Sequence, residues 1–393
     1  MIGIVTINDY SNLGNRLQNY AMYTILSKYD ETYNIVRFYG SGGVKDGDCY
    51  KPSLVKNILR VPYHMALSIK SSLTNHNQYL LAKEREKNFL EFNKYIIDQD
   101  EITPKTDYET LNAKYDYFVA GSDQVWNPNF YKMYINMLGF ASSEKKVAPS
   151  VSVETLTDDQ MQEFITYLSD YKALSCREEQ GSKLIESIVG RECTTLVDPT
   201  LMLSKEEWDQ IIKKPVFHDE NKKYVLLYFL GNLTEEYKGS IAVISDRYNL
   251  EVINVLDKNS RYYTCGPAEF VWMIKHAELI LTDSFHGSVL SYIYDKPFRI
   301  FGIVDGNVSM NSRLVNLLDK LQLSEKTYIT KDSSLDNLLE VHYDKHCLEA
   351  EQKKFRKYLD EAGADVSGMS DEELEEAAEV FPIPDGRYLI VEG

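Results

Sequence analysis

Apolar runs of strand length alternate with amphipathic segments along the first half of the chain. MIGIVTI (1–7), YNIVRFY (33–39) and YDYFVAG (115–121) are rich in β-branched and aromatic residues, which favours strands. Between the first two runs, side chains over residues 17–25 follow the spacing of one helix face. A strand, loop, helix and strand in this order predict a parallel α/β sheet.

The same alternation starts again after the polar stretch KKPVFHDENKK (213–223), which is the best candidate for a linker. Later strands are predicted at KYVLLYFLG, EVINVLD, LILTD and PFRIFGI. We therefore predict two Rossmann-like α/β domains, 1–212 and 222–345, which face a central cleft. A C-terminal helix and an acidic tail follow over 346–393. In such sheets, ligands bind beyond the carboxyl ends of the strands.

Composition narrows the functional classes. The 393 residues carry a formal net charge of −17, which argues against nucleic acid as a partner. No apolar run is long enough to span a membrane, and the first residues lack the basic segment of a signal peptide. The five cysteines are scattered without a CxxC pair, which is typical of free thiols in a reducing cytosol. We expect a cytoplasmic protein, and an anionic ligand would need a local cationic pocket.

The segment LILTDSFHGSVLSYIYDKPF (279–298) is the strongest candidate for a site. A predicted strand ends there and a helix begins, and helix N-termini bind phosphate or carboxylate groups. Gly287 would let the backbone approach a ligand, Ser284 and Ser288 add hydroxyls, and His286 can donate a proton near neutral pH. The alternative is an ordinary capping turn with an uninvolved histidine.

Amide and aromatic side chains follow two other predicted strands. Asn12, Asn15 and Gln18 lie in or after the first loop, where they could bind sugar hydroxyls or simply form a capped turn. In GSDQVWNP (121–128), Asp123 and Gln124 could bind hydroxyls. Trp126 could stack on a sugar ring or be a buried structural residue.

Two arginines are candidates for holding an anion. Arg177 follows the apolar stretch ALSC, and its guanidinium could bind a phosphate or carboxylate, or pair with Glu178 or Glu179. Arg313, in MNSRLVNLL, is a similar candidate.

Metal and cofactor motifs are weak or missing. His342 and His346 have the spacing of a two-histidine face on a predicted helix, but no HExxH motif occurs, so we expect no metal. No Walker loop, GxSxG or dinucleotide fingerprint occurs, and we expect no bound cofactor. The glycines at positions 40–47 predict a surface loop or a mobile lid.

Five motifs, in this order, resemble the polysaccharide pyruvyl transferase family over roughly Met1 to Leu323. They are NLGNRLQNYA, GSDQVWNP, SCREEQGSKLI with LVDPTLML, the segment GPAEFVWMIKHAELILTDSFHGSVLSYIYDKPF, and NSRLVNLLDKLQL. The resemblance implies a fold like that of the two-domain, B-type glycosyltransferases. It also implies phosphoenolpyruvate as co-substrate and a sugar, polysaccharide or lipid-linked oligosaccharide as acceptor. A lipid-linked acceptor would bring the protein to the inner face of the membrane as a peripheral protein.

The resemblance also implies roles for residues of this sequence. The family's donor-binding arginine and histidine map onto Arg177 and His286, with His286 as proton donor or phosphate clamp. Ser284 stands where some relatives have an arginine, so Arg313 or another basic group would replace that contact. Asp123 would bind the acceptor or take its proton, with Asp283 as its rival.

Two other interpretations stay open. One is a nucleotide-sugar-dependent glycosyltransferase of the same fold, for which Glu269 is the one ambiguous candidate to bind a ribose. The other is a non-catalytic glycan-binding protein, which would tolerate the loss of His286.

Overall fold

A computed structural model describes most of the chain. The described residues are 1–37, 76–128, 133–153, 156–302, 308–323, 328–329, 335–340, 342–362, 380–382 and 388–390. The glycine cluster at 40–47 and most of the predicted acidic tail lie outside the described residues.

The first sheet has seven parallel strands in the order β3-β2-β1-β4-β5-β6-β7. The strands are β1 (Ile2–Val5), β2 (Thr32–Arg37), β3 (Asp98–Ile102), β4 (Tyr117–Ala120), β5 (Lys146–Val151), β6 (Ala173–Cys176) and β7 (Thr194–Thr195). Its helices are α1 (Leu13–Leu26), α2 (His76–Phe92), α3 (Tyr108–Lys114), α4 (Met133–Asn136), α5 (Asp158–Leu168), α6 (Glu179–Val189) and α7 (Lys205–Asp209). Short 3-10 turns at Gln124–Trp126 and Pro199–Leu201 lie close to the site described below.

The second sheet has five parallel strands in the order β12-β11-β10-β8-β9. The strands are β8 (Tyr224–Tyr228), β9 (Glu251–Asn254), β10 (Leu279–Thr282), β11 (Phe298–Phe301) and β12 (Tyr328–Ile329). Its helices are α8 (Glu235–Tyr248), α9 (Pro267–His276), α10 (Phe285–Ile293) and α11 (Val308–Lys320). The predicted α/β class with two parallel sheets is thereby confirmed.

The last described helix, α12 (His346–Glu361), returns to the first sheet. The Tyr358 hydroxyl donates to the carbonyl of Ala148 in β5 at 3.0 Å, and the Gln352 amide donates to the carbonyl of Leu201 at 2.6 Å. Because α12 begins at His346, His342 precedes the helix, and the predicted two-histidine helix face is wrong. A two-stranded antiparallel ribbon, β13 (Val380–Pro382) and β14 (Tyr388–Ile390), follows.

A single apolar core joins the two sheets. It contains Leu17 of α1, Phe270 and Val271 of α9, and Val289 of α10, all of them fully buried. Burial of each side chain of this size is worth about 1.5–3 kcal/mol relative to exposure. The two halves therefore present their loops to each other across a packed interface, which holds residues from both in a fixed geometry.

Candidate active site

Residues from both halves meet beyond the carboxyl ends of the strands. Asp123 follows β4, Arg177 follows β6, and His286 lies in the first turn of α10, just after β10. Asp198 lies in the connection after β7, and its Oδ2 atom is 2.6 Å from Arg177 Nη1 and 3.8 Å from His286 Nε2. Arg177 and His286 therefore converge on Asp198, and Asp123 joins the cluster through its contact with Arg177.

Arg177 is buried among three carboxylates. Its Nε donates to Glu178 Oε1 at 2.9 Å, its Nη1 to Asp198 Oδ2 at 2.6 Å, and its Nη2 to Asp123 Oδ1 at 3.4 Å. The guanidinium also lies over the ring of Phe285, 4.7 Å from the centroid. Burial alone would lower the pKa of Arg177, but the carboxylates outweigh it and raise the pKa. Arg177 is thus a permanent cation whose charge is already matched by the protein.

Asp198 links this arginine to the imidazole. Burial would raise the pKa of Asp198, but His286, Arg177 and the Thr200 hydroxyl together hold it well below its usual range. Thr200 Oγ1 donates to Asp198 Oδ1 at 2.6 Å, which fixes the carboxylate. Asp198 is therefore a fixed carboxylate between the guanidinium of Arg177 and the imidazole of His286.

His286 is enclosed by its neighbours on both sides. Its ring packs edge-on against Phe285, and Gly14 of α1 lies directly against its other side. A Cβ atom at position 14 would overlap Nδ1 and would lie 2.9 Å from Cγ. Gly14 is therefore needed to make room for His286. Among the described residues, the buried His286 Nε2 has no hydrogen-bond partner, and Asp198 Oδ2 lies 3.8 Å from it.

An open pocket of about 320 Å³ adjoins this cluster. Arg177, Glu178, Asp198 and Phe285 form one wall, and Arg313, Asn316 and Lys320 of α11 form the opposite wall. Apolar side chains complete the lining: Val197, Leu201, Leu317 and Leu321. The structure thus brings both predicted arginines, Arg177 and Arg313, to one pocket.

The turn that begins α10 caps this helix, which was the structural alternative for the segment. The Ser284 hydroxyl accepts from the Gly287 amide at 3.4 Å, and the Ser284 carbonyl accepts from the amide and hydroxyl of Ser288 at 3.1 and 2.9 Å. A Cβ at Gly287 would come within 2.8 Å of Thr282 Oγ1, so this glycine allows close packing on the sheet rather than a ligand's approach. The amides of Gly287 and Ser288 thus already donate within the helix cap, and contact of Ser284, Gly287 or Ser288 with an anion stays a prediction.

Asp283, the rival candidate for a base, binds backbone amides of its own domain. Its two oxygens accept from the amides of Leu230 and Gly231 at 2.7 and 2.8 Å. Burial raises the pKa of Asp283 against the effect of these hydrogen bonds. Asp123, by contrast, keeps 17% of its side chain exposed. Asp123 is the better placed of the two carboxylates for contact with an acceptor.

The predicted acceptor amides lie at the start of α1, at different depths. Asn12 is exposed and caps the helix by accepting from the Asn15 amide at 3.1 Å, whereas Asn15 and Gln18 are buried. Asn15 Oδ1 accepts from the Asp9 amide at 2.9 Å, and Asn15 Nδ2 and both polar atoms of the Gln18 amide have no partner among the described residues. Contact of these side chains with a sugar stays a prediction.

Trp126 is a core residue. Its indole is fully buried between Phe164 and Tyr171, and its Nε1 donates to the carbonyl of Asn136 at 3.2 Å. No ring face is left for a sugar, so the predicted stacking role is corrected. Gln124 begins the same 3-10 turn and is half-buried.

Sequence patterns missed several residues of this site. Asp198 lies in the LVDPTLML motif, and Asn316 and Lys320 lie in NSRLVNLLDKLQL, but the motifs alone did not indicate that these three residues line the pocket. Helix periodicity could have identified Asn316 and Lys320, because residues three and seven positions after Arg313 share its helix face.

The fold and site define a two-domain α/β protein with a cationic pocket between its halves. The sequence profile of polysaccharide pyruvyl transferases matches residues 12–305, and the chain belongs to this family. No curated protein matched the chain.

Similar solved structures are distant. An uncharacterized protein from Klebsiella pneumoniae subsp. pneumoniae is 14% identical, with a TM-score of 0.37 over 65% of this chain and 88% of its own. A putative UDP-N-acetylglucosamine 2-epimerase from Listeria monocytogenes is 9% identical, with a TM-score of 0.44 over 93% and 90%. UDP-GlcNAc 2-epimerase from Neisseria meningitidis is 11% identical, with a TM-score of 0.43 over 92% and 94%. Family membership rests on the profile match and not on these likenesses.

The described residues contain neither a candidate membrane-spanning helix nor a candidate metal cluster. Within those ranges, no helix combines the length and apolar character that a membrane crossing needs. The same part of the chain holds no group of three or more His, Cys, Asp or Glu side chains arranged to hold a metal ion.

Proposed function

We propose that the protein transfers the enolpyruvyl group of phosphoenolpyruvate to a sugar of a polysaccharide or lipid-linked glycan precursor, where it becomes a cyclic pyruvate ketal. The observation that carries this proposal is the pocket in which cationic side chains from both halves lie beside His286 and Asp198. The guanidinium and ammonium groups that line this pocket suit a small donor with a carboxylate and a phosphate.

The proposed reaction needs one acid, one base and an anion clamp. A proton added to the methylene carbon of the donor makes its C2 electrophilic, and a sugar hydroxyl attacks there. Phosphate leaves, and a second hydroxyl attacks C2 to close the ketal. Of the two hydroxyl protons, one balances the proton added to carbon and the other leaves with phosphate. General acid catalysis by a placed imidazole contributes typically about 10²–10⁴-fold to such steps.

His286 is the proposed acid, because its Nε2 is unpartnered among the described residues and faces the ionised Asp198. Asp123 is the proposed acceptor-binding residue or base, since it is the partly exposed carboxylate of the cluster. Arg177 is proposed to hold the donor through N–H bonds that its three carboxylates leave unused, and Arg313 to hold it from the opposite wall. Asn12, Asn15, Gln18 and Gln124 remain the proposed acceptor contacts.

The proposed setting is the cytoplasm, at the inner face of the membrane if the acceptor is lipid-linked. Phosphoenolpyruvate is a cytoplasmic metabolite, and the scattered cysteines are typical of a reducing compartment. Cys176 and Cys193 are free thiols in this structure, with sulfur atoms 3.7 Å apart.

Mass spectrometry provides the test. Purified protein is incubated with phosphoenolpyruvate and candidate lipid-linked glycans, and the glycans are analysed for the mass of a pyruvate ketal. His286→Ala should abolish the gain in mass. A non-catalytic glycan-binding protein would bind the glycan with or without His286 and produce no ketal.

The nucleotide-sugar alternative predicts a different product, a glycan extended by one sugar. Its one candidate residue, Glu269, accepts from the Gly266 amide at 3.1 Å and pairs with Lys213 at 3.1 Å. Since Glu269 caps its own helix, it has no oxygen set aside for a ribose. Extension of the glycan with a nucleotide sugar, without ketal formation, would establish the alternative.

A further inference from the structure

One face of α11 presents three donor side chains to the pocket. Arg313, Asn316 and Lys320 are spaced three and four residues apart, so they share a helix face, and all three line the pocket opposite Arg177. A guanidinium, an amide and an ammonium together offer donors to several oxygens of one anionic group.

The opposite wall is poorly suited to take the whole charge of a dianion. There, one guanidinium is bonded to the carboxylates of Asp123, Glu178 and Asp198. The three carboxylates already neutralise this guanidinium, so it attracts a bound anion only weakly. The same carboxylates repel the anion. The wall formed by α11 must supply much of the attraction.

Lys320 is a cation of this wall whose recorded carboxylate partner lies at ion-pair rather than hydrogen-bond distance. Its Nζ has no hydrogen-bond partner among the described residues, and the recorded carboxylate nearest to it, Glu351 Oε2 of α12, is 3.7 Å away. Glu351 Oε2 also lacks a hydrogen bond in the described part of the chain, and 24% of each side chain is exposed. The charges facing Lys320 are those of Glu351, Glu178 and Lys354.

We propose that Lys320, with Arg313 and Asn316 on the same helix face, binds the phosphate of the donor, and that Glu351 holds the ammonium until phosphate replaces it. This inference rests on the proposed function for the identity of the donor. It assigns to Lys320 the cationic contact that an arginine could make in relatives with arginine at the position of Ser284. The carboxylate of the donor is then left to the Arg177 side of the pocket, nearer His286.

Isothermal titration calorimetry with phosphoenolpyruvate, inorganic phosphate and pyruvate tests the assignment. Lys320→Gln should weaken the binding of phosphoenolpyruvate and inorganic phosphate about 10- to 100-fold, as expected for a lost charge-assisted hydrogen bond. The dissociation constant of pyruvate should change by no more than about twofold. Lys320→Arg, which keeps the cation, should retain most of the phosphate affinity. Lys353→Gln is the matched control, because this lysine of α12 is exposed and lies outside the pocket, and it should change nothing beyond about twofold.

Glu351→Gln tests the exchange of partners. The amide removes the competing charge, so inorganic phosphate should bind about 2- to 10-fold more tightly. Weaker binding by this variant, or unchanged phosphate affinity in Lys320→Gln, overturns the inference.

The two levels of proposal fail separately. If the wild type binds phosphoenolpyruvate and forms the ketal while Lys320→Gln binds phosphate normally, only the role of Lys320 is refuted. If the wild type binds inorganic phosphate through Lys320 but never forms the ketal, the anion site stands and the proposed reaction falls. If the wild type binds neither anion, both are refuted.

Discussion

Gly14 and His286 occupy adjoining space across the contact between the two halves. A side chain at position 14 has no room unless the imidazole moves, because its Cβ would lie 2.9 Å from His286 Cγ and closer still to Nδ1. The position of the proposed acid thus depends on a glycine that lies far away in the sequence, in the first helix. This relationship gives the sharpest test of whether His286 must stay where it is.

Gly14→Ala should reduce ketal formation far more than it reduces stability. Displacement of the imidazole by about 1 Å can cost on the order of 100-fold in rate. The measurement is the turnover number for ketal formation, together with the melting temperature.

Gly239→Ala is the matched control for this glycine. Gly239 lies in helix α8, and a Cβ there would meet nothing within 4 Å. The substitution should leave turnover unchanged and raise stability by about 0.5–1 kcal/mol, because alanine favours helix. Full activity in Gly14→Ala would show that the position of His286 does not matter to the reaction.

Arg177→Ala should destabilise the fold and also weaken the binding of the donor. The substitution leaves three carboxylates facing one another with their shared cation removed, and loss of one partner from a buried ion pair costs about 3–5 kcal/mol. Urea denaturation measures the free energy of unfolding. The exposed Arg191, which donates to the carbonyl of Ser169, is the control, and Arg191→Ala should cost less than about 1 kcal/mol. Equal losses in the two variants would contradict a buried charge cluster.

The limits of prediction from sequence are visible in these same residues. Runs of β-branched and aromatic residues located β1, β2, β4, β8, β9, β10 and β11, because a buried strand of a parallel sheet is apolar on both faces. They did not locate β3, whose sequence DQDEI is polar and mostly exposed, or β5. The rule that parallel strands place ligands at their carboxyl ends located Asp123, Arg177 and His286 together. Local patterns could not show that Trp126 turns inward, that Gly287 packs on Thr282, or that Gly14 adjoins His286. Those facts depend on which distant segments pack together, and nothing within one segment encodes its partner.

The low pKa of Asp198 predicts how stability depends on pH. A carboxyl whose pKa is lowered in the folded state stabilises the fold above its unfolded pKa of about 3.9 and loses that contribution as the pH falls through the folded value. Asp198→Asn should therefore be less stable than the wild type at pH 7, and the difference should begin to shrink only below about pH 4. Urea denaturation between pH 3 and pH 8 measures it. A difference that already disappears between pH 7 and pH 5 would show that a group other than Asp198 is its origin.

Trp126 separates a structural role from a sugar-binding role. The indole is enclosed by Phe164 and Tyr171, so Trp126→Ala should lower the free energy of unfolding by about 3–5 kcal/mol through the cavity it leaves. Trp126→Phe keeps most of the aromatic packing and should leave the KM for the glycan acceptor within about twofold. Acceptor titrations at saturating phosphoenolpyruvate measure this KM, and melting temperatures report the fold. If Trp126→Phe raised the acceptor KM tenfold without a change in melting temperature, the indole would have to contact the sugar, and its burial in the core would be the wrong account of its role.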